Sequence, residues 1–508
     1  MKNMTLIAIA KAIDGQLYIN GRKFEITDPA ADCGSGFFED LSAVEASSVI
    51  IDSRKAEKNC IFVATVGDRV DGHSFIGQVF EKGALGVICE KKPELIPEDC
   101  ICRHNDSGSN TPEDNSNHSS APSAGRTDTC YPYILVHNSF IALKKLAKYY
   151  REQMSQVKCI GIVGSVGKTS TKELVASVLS QSFKVHKTEG NFNNEVGVPL
   201  TVLGIRDEHE AAVIEMGISD FGEMSRLADI VKPNGVVMTN IGPCHLEKLI
   251  DLDGVLKAKT ECIPFISRDG FLIINNDDCH LSSISDAGGR KIISYGSNAD
   301  ISVISSESHG LEGTRFQMSA TAVSDENISA FVPLPGFHMV QNALAATAAG
   351  IELGMNLKDI VNGIAAVKPT SGRSNLIHTE KYLIVDDCYN ANPKSMKAAI
   401  DLMQNALGRK CAILGDMFEL GENENSLHAE VGEYAATHGI ELLICIGRLS
   451  KNMADAYNRV SADSCLYFEN LENFLKELKQ NNIPFKKNDT ILIKASHGMK
   501  FSEILSNL

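Results

Sequence analysis

Residues 161–170 read Gly161-Ile162-Val163-Gly164-Ser165-Val166-Gly167-Lys168-Thr169-Ser170. An apolar run, 159–163, leads into the glycines, and a helix-forming segment, 172–179, follows them. Strand, glycine loop, lysine, hydroxyl and helix in that order is the layout of a nucleotide phosphate site in a parallel-sheet domain. Glycines let backbone N–H groups turn toward phosphate oxygens, and the helix N-terminus adds partial positive charge. Gly164, Ser165, Gly167, Lys168, Thr169 and Ser170 are therefore candidate nucleotide contacts. Lys168 is placed to reach the β- and γ-phosphates and the Thr169 hydroxyl to face Mg2+. The spacing is the short form G-x-x-G-K-T; the longer form needs glycine at 162, where Ile162 stands.

The chain around this loop has 508 residues, too many for one core, so about three domains are expected. It is 43% hydrophobic and 22% charged, ordinary for a soluble globular protein. A net charge of −15 argues against nucleic acid or an anionic membrane as partner, while leaving room for a locally basic pocket. The 14 cysteines are scattered, with Cys100 and Cys102 closest and no C-x-x-C, which reads as free thiols in a reducing cytoplasm. No apolar run reaches the ~18 residues of a membrane span. The apolar start, 1–10, reads as a first amphipathic helix rather than a signal peptide.

The fold class expected is α/β in three domains. The first, 1–155, is a small α/β domain with strands at 48–51, 60–64, 86–89 and 131–137. It is interrupted by a polar insertion at 103–130 that lacks the apolar content to order itself. The second, 156–369, is a central parallel-sheet domain with strands at 159–163, 211–216, 235–240 and 271–275, then an alternating antiparallel extension near 301–333 and an alanine-rich helix at 342–353. The third, 370–508, is a smaller Rossmann-like domain with strands at 382–386, 410–414, 442–446 and 490–494.

Polar residues gather at the ends of these strands. Glu215 ends a parallel strand beside the phosphate loop, which suits either a Mg2+ ligand or a solvated strand-end acid. His245 follows the next strand, as a second metal ligand or a structural histidine. Lys257 and Lys259 lie on a helix face that marks neither of them. Thr188, Asn191, Asn193 and Asn194 form a loop dense in uncharged donors and acceptors, which suits a polar substrate better than a bare turn. Asp387, Tyr389, Asn390 and Asn392, with residues 415–421, cluster on successive strand ends of the third domain and suggest a pocket.

Taken together, these motifs resemble the Mur ligase family of bacterial cell-wall synthesis over almost the whole chain. The resemblance rests on 164–169, on Asn191-Phe192-Asn193-Asn194-Glu195-Val196-Gly197-Val198-Pro199, on 387–393, on 415–421, and on 52–54, 62–64 and 71–75 in the first domain. It implies an ADP-forming amide ligase with ATP and Mg2+, cytoplasmic and monomeric. Its substrates would be UDP-N-acetylmuramoyl-tripeptide and D-alanyl-D-alanine, with no nucleic-acid or membrane partner. It further implies that Ser53, Arg54, Asp71 and His73 hold the UDP-muramoyl substrate, and that Thr169, Glu215 and His245 bind metal. Lys259, in an Ala-Lys-x-Glu pattern, would be a carbamylated metal ligand. Asn342 would contact adenine, Arg373 and Asp387 would bring the third domain onto ATP, and Lys168, Lys259 and Arg373 would act in catalysis.

One loop departs from the family pattern: Lys494-Ala495-Ser496-His497 has Ala and His where the family shows Gly and Arg. Two other functions share parts of the pattern. A folylpolyglutamate synthetase shares the ATP loop and domain plan but not the 191–199 and 389–393 motifs. A guanine-nucleotide switch would need an [NT]-K-x-D motif, which is absent.

Overall fold

The computed structural model describes residues 1–19, 21–24, 43–67, 70–94, 131–321, 324–461 and 464–508. The polar insertion at 103–130 and the pair Cys100 and Cys102 lie outside these residues. The chain divides into two compact units, Met1–Ser155 with Pro199–Asp207, and Gln156–Val198 with Glu208–Leu508.

The first unit carries a six-stranded sheet. Its strands are β1 (Gln16–Ile19), β2 (Arg22–Lys23), β3 (Val49–Ile50), β4 (Ile61–Val63), β5 (Gly86–Cys89) and β6 (Pro132–Leu135), in the order β2-β1-β6-β5-β4-β3. β3 to β6 pair in parallel, and the β1–β2 hairpin adds antiparallel to β6. Every residue of β4 and β5 is buried, as expected of inner parallel strands covered on both faces.

The second unit holds two sheets. The larger comprises β7 (Lys158–Val163), β8 (Val185–Lys187), β9 (Ala211–Glu215), β10 (Gly235–Met238), β11 (Phe271–Asn275), β12 (Lys291–Gly296), β13 (Ile301–Ser308), β14 (Thr314–Ala320) and β15 (Ser324–Val332). Their order is β15-β14-β13-β12-β11-β10-β7-β9-β8. β7 to β13 pair in parallel and β13 to β15 antiparallel, so the extension expected near 301–333 is present. β7 lies between β10 and β9, and the loops leaving these three strands share one edge, the place where open α/β sheets bind ligands.

Helix α1 (Lys168–Leu179) follows β7 directly and buries Leu174, Val175, Val178 and Leu179. It packs in one core with the alanine-rich α2 (Phe337–Glu352), whose small side chains permit a close approach. The smaller sheet comprises β16 (Asn375–His378), β17 (Leu383–Asp386), β18 (Lys410–Gly415), β19 (Leu442–Ile446), β20 (Ser464–Phe468) and β21 (Thr490–Lys494), in the order β16-β17-β21-β18-β19-β20. All its pairs are parallel except β16–β17. Among the described residues no helix is long and apolar enough to cross a membrane, and the cysteines are free.

Candidate active site

The phosphate loop is shaped by two glycines in conformations that L side chains avoid. Gly164 has φ 154° and Gly167 φ 82°. A Cβ on Gly164 would lie 1.9 Å from Thr239 Oγ1, so only glycine lets β10's end close over the loop. Ser165 N donates to Asn240 O at 3.0 Å and Val166 N to Asn240 Oδ1 at 3.0 Å, while Thr239 Oγ1 donates to Val166 O at 2.7 Å. Gly167 then starts α1, whose first bond to the loop is Thr171 N to Gly167 O at 2.9 Å. The N–H groups of Gly167, Lys168, Thr169 and Ser170 find no acceptor among the described residues. Four orphan donors at a helix N-terminus form an anion cradle. Lys168 Nζ folds over it, donating to Gly164 O at 2.8 Å and Ser165 O at 3.3 Å. Enclosure lowers its pKa, with the Glu215 carboxylate acting the other way.

Glu215, only 2% exposed, is the hub next to the loop. Its Oε2 accepts from Thr169 Oγ1 at 2.9 Å and its Oε1 from Asn193 Nδ2 at 2.8 Å. A buried carboxylate beside a hydroxyl is a donor set that suits a hard dication such as Mg2+. Thr188 is fully buried against it, its hydroxyl accepting from Glu215 N at 3.0 Å. Asn191 is exposed, and Asn194 Oδ1 accepts from Gly197 N at 2.8 Å, capping the next helical segment. Among the described residues no group of three or more His, Cys, Asp or Glu could hold a metal ion.

Helix α3 (Leu252–Thr260) aims Lys259 at the same loop. Lys259 is buried, its Nζ donating to Gly164 O at 3.1 Å, whereas Lys257 is exposed. Burial, and then the Lys168 charge, pull the Lys259 pKa down from 10.5 to about 8. His245 has a ring 3.4 Å from Glu419 of the 415–421 loop. Burial lowers its pKa, the Glu419 carboxylate opposes that, and the Lys259 and Lys168 charges add to it.

Between His245 and α3 the backbone is strained. Ile250 has φ 73° and ψ −65°, and Asp251 N closes onto Leu249 O at 2.8 Å, a γ-turn of the rare hand. A β-branched residue there costs roughly 1–3 kcal/mol, and the side chain is 74% exposed, so packing returns little. Ile250→Gly is expected to stabilise the protein by about 1 kcal/mol, the strain relieved outweighing the added chain entropy; a lower thermal midpoint than the parent would contradict this.

The smaller sheet supplies the other wall. The Arg373 guanidinium lies 4.0 Å from the centroid of the Tyr389 ring, and the His497 ring is 5.6 Å from it. Burial raises the Tyr389 pKa, and the Arg373 charge and the nearby Asn191 side chain oppose the rise, which sets this sheet's strand ends beside the 188–194 loop. Lys494 Nζ donates to Asp387 Oδ2 at 2.6 Å and Asn390 O at 2.9 Å, and Asp387 Oδ1 accepts from Ser374 N at 3.0 Å. Asn390 is exposed, while Asn392 Oδ1 caps the following helix through Ser395 N at 2.8 Å in a capping box.

Asn342, on α2, accepts from Thr171 Oγ1 at 3.0 Å. Its neighbour Gln341 was not singled out by the sequence. Gln341 Nε2 donates to Asp277 Oδ2 at 2.8 Å, and its Oε1 is a buried acceptor without a partner. Asn275, Asp277 and Asp278 stand at the end of β11, where Asn275 Nδ2 donates to Thr239 O at 3.0 Å and Asp278 Oδ2 accepts from Ile241 N at 2.8 Å. The run Asn275-Asn276-Asp277-Asp278 after an apolar strand was the available signal.

In the first unit, Asp52 holds Arg54 through Oδ2 to Nη2 at 2.7 Å, and this partner pulls the Asp52 pKa down to about 2. Arg54 is otherwise exposed, and Ser53 is buried with its carbonyl accepting from Lys82 Nζ at 2.9 Å. His73 Nε2 accepts from Glu90 N at 2.9 Å, which leaves Nδ1 to donate to Asp71 Oδ1 at 2.6 Å. Lys91 pairs with the other Asp71 oxygen at 3.0 Å.

Comparison with known proteins matches the "Mur ligase middle domain" to residues 162–350, the "Mur ligase, glutamate ligase domain" to 372–497 and the "Mur ligase family, catalytic domain" to 45–122. The chain is 36% identical over 464 residues to UDP-N-acetylmuramoyl-tripeptide–D-alanyl-D-alanine ligase of Bacillus subtilis, covering 91% of this chain and 92% of that one. The enzyme of the same name from Haemophilus influenzae is 32% identical, with 92% and 94% covered. Among solved structures, MurF of Acinetobacter baumannii superposes with a TM-score of 0.80 at 28% identity, covering 99% and 98%. MurF ligase of Thermotoga maritima in complex with ADP superposes at 0.72 and 25% identity, covering 91% and 96%. With a phosphate cradle, a buried carboxylate hub and relatives that span more than nine tenths of its length, this chain belongs to the Mur ligase family.

Proposed function

We propose that the chain joins D-alanyl-D-alanine to UDP-N-acetylmuramoyl-tripeptide, cleaving ATP to ADP and phosphate, in the cytoplasmic stage of peptidoglycan synthesis that supports cell shape and division. The observation that carries the reading is the set of orphan N–H groups at residues 167–170 beneath Lys168, adjoining the Glu215–Thr169 pair. In this reading the cradle and Lys168 take the β- and γ-phosphates. The tripeptide carboxylate attacks the γ-phosphorus, the bond to the β-phosphate oxygen breaks, and ADP leaves an acyl phosphate. The dipeptide amine attacks the acyl carbon, loses its proton, and phosphate departs. A carboxylate is a poor electrophile; phosphorylation gives it a leaving group, and the protein contributes positioning and charge neutralisation.

Mg2+, held by Thr169, Glu215, His245 and carbamylated Lys259, would neutralise charge on the phosphates. Asn342 and the unpartnered Gln341 Oε1 suit the adenine base, the latter by accepting from its exocyclic amine. Arg373 and Asp387 would meet the nucleotide from the third domain. Thr188, Asn191, Asn193, Asn194, Tyr389, Asn390 and Asn392 would line or shape the peptide sites. Ser53, Arg54, Asp71 and His73 would serve the UDP-muramoyl group. The domains are 1–155, 156–369 and 370–508, and the working form is a monomer.

ADP release by the purified protein tests the reading. Release that requires both the muramoyl tripeptide, of diaminopimelate or lysine type, and D-alanyl-D-alanine supports it. Release indifferent to the dipeptide contradicts it. Lys259 adds a pH prediction. Carbamylation consumes the neutral amine and releases a proton, and a pKa near 8 leaves far more neutral amine at pH 7 than an ordinary lysine has. At fixed dissolved CO2, the carbamate signal from isotopically labelled CO2 and the ligation rate should rise together from about pH 6.5 to about pH 8.5; a labelled carbamate that falls over this range would contradict the assignment.

A further inference from the structure

One turn beyond Lys168, α1 carries a second lysine that the chemistry above does not use. Lys172 is 1% exposed. Its ammonium donates to the Thr188 carbonyl at 2.7 Å and lies 3.0 Å from Glu173 Oε1. Burying an ammonium is costly, and an apolar side chain of similar length fills such a volume with less penalty. The partner gives the cation a purpose. Thr188 N donates to Val213 O at 3.0 Å, and its hydroxyl accepts from Glu215 N at 3.0 Å. Glu215 then holds Thr169 on α1 at 2.9 Å and Asn193 on the loop at 2.8 Å. Asn193 O in turn accepts from Gly217 N at 2.7 Å, just past the end of β9. The bonds form a closed circuit from α1 through Lys172, Thr188 and Glu215 back to α1, with the 188–194 loop suspended from it.

We infer that Lys172 is a positioning residue that couples the phosphate helix to the 188–194 loop, so that nucleotide seated on the helix N-terminus sets the loop for the acceptor carboxylate. The inference rests on the ligase reaction proposed above. Phosphates on the orphan N–H groups fix the start of α1, and Lys172 passes that constraint to Thr188 without touching either substrate. In-line attack needs the carboxylate oxygen and the phosphorus about 3–3.5 Å apart, and a shift of about 1 Å costs on the order of a hundredfold.

The test compares Lys172→Met, Lys172→Arg, Thr188→Val and the Lys172→Met/Thr188→Val pair with the parent. Two quantities are read: kcat/KM for the muramoyl tripeptide, and ADP affinity by direct titration. Lys172→Met should lower kcat/KM for the tripeptide about thirtyfold while ADP affinity stays within about twofold. Lys172→Arg should recover most of the loss. Thr188→Val, which breaks the next link, should reproduce the defect, and the double variant should be no worse than either single one. Parallel loss of ADP affinity and tripeptide kcat/KM, or additive effects of the two substitutions, would overturn the inference. If Lys172→Met does not fold, Lys172→Gln decides: a tripeptide defect with intact ADP affinity supports the coupling, and an unchanged tripeptide kcat/KM overturns it. Dipeptide-dependent ADP release by the parent is measured first. Its absence overturns the ligase reading together with this one, whereas its presence with unaffected variants overturns the coupling alone.

Discussion

Lys168→Ala is expected to reduce ligation by about a thousandfold or more, at the upper end of what loss of one preorganised charge costs. The phosphoryl group being transferred gathers negative charge on its equatorial oxygens, and the cation poised over the cradle is Lys168, with its ammonium 2.8 Å from Gly164 O. Its hydrogen bonds go only to two carbonyls of its own loop, so removing it deletes a cation beside the cradle with little loss of packing. The thermal midpoint should change little while ADP release falls. Near-normal product formation by the variant would remove the phosphate-site assignment.

Glu215→Gln separates charge from packing at the hub. Glutamine has nearly the same volume, and its amide oxygen can still accept from Thr169 Oγ1 or Asn193 Nδ2, the two bonds that Glu215 makes at 2.9 and 2.8 Å. The negative charge is lost. The rate should fall about a hundredfold, and the Mg2+ concentration for half-maximal activity should rise, because a hard dication binds a neutral amide oxygen less tightly than a carboxylate. A rate loss with an unchanged Mg2+ requirement would make Glu215 a structural hub rather than a metal ligand.

Much of this arrangement was legible in the sequence, for physical reasons. Inner parallel strands are covered on both faces and read as unbroken apolar runs, so β5, β11, β19 and β21 lie at the residues where the sequence placed them. Edge and half-exposed strands lack that signature. β1 and β2, β8 with His186 and Lys187, β16 and β20 were not anticipated, and nor was β12, which is exposed at its start. Helix α1 begins at Lys168 rather than 172 because Gly167, left-handed, ends the loop and lets the helix start at once.

Strand order was beyond reach of local pattern: β21, last in the chain, inserts between β17 and β18, and that insertion brings Lys494 onto Asp387. Gln341 and Asp277 are far apart in sequence and meet only because α2 lies over β11. The density of amides did not sort the side chains that carry it. Asn193 binds the Glu215 carboxylate, whereas Asn194 and Asn392 spend their side-chain oxygens on backbone N–H groups at helix starts.

In the reaction proposed above, this site makes a carboxylate reactive by phosphorylating it and then hands the acyl group to a dipeptide amine. This chemistry is tested most directly with muramoyl tripeptide carrying heavy oxygen in the carboxylate that becomes the amide, turned over with ATP and D-alanyl-D-alanine. Each turnover should deliver one labelled oxygen to inorganic phosphate and yield a pentapeptide lengthened by the dipeptide. Phosphate released without label, alongside pentapeptide, would contradict it.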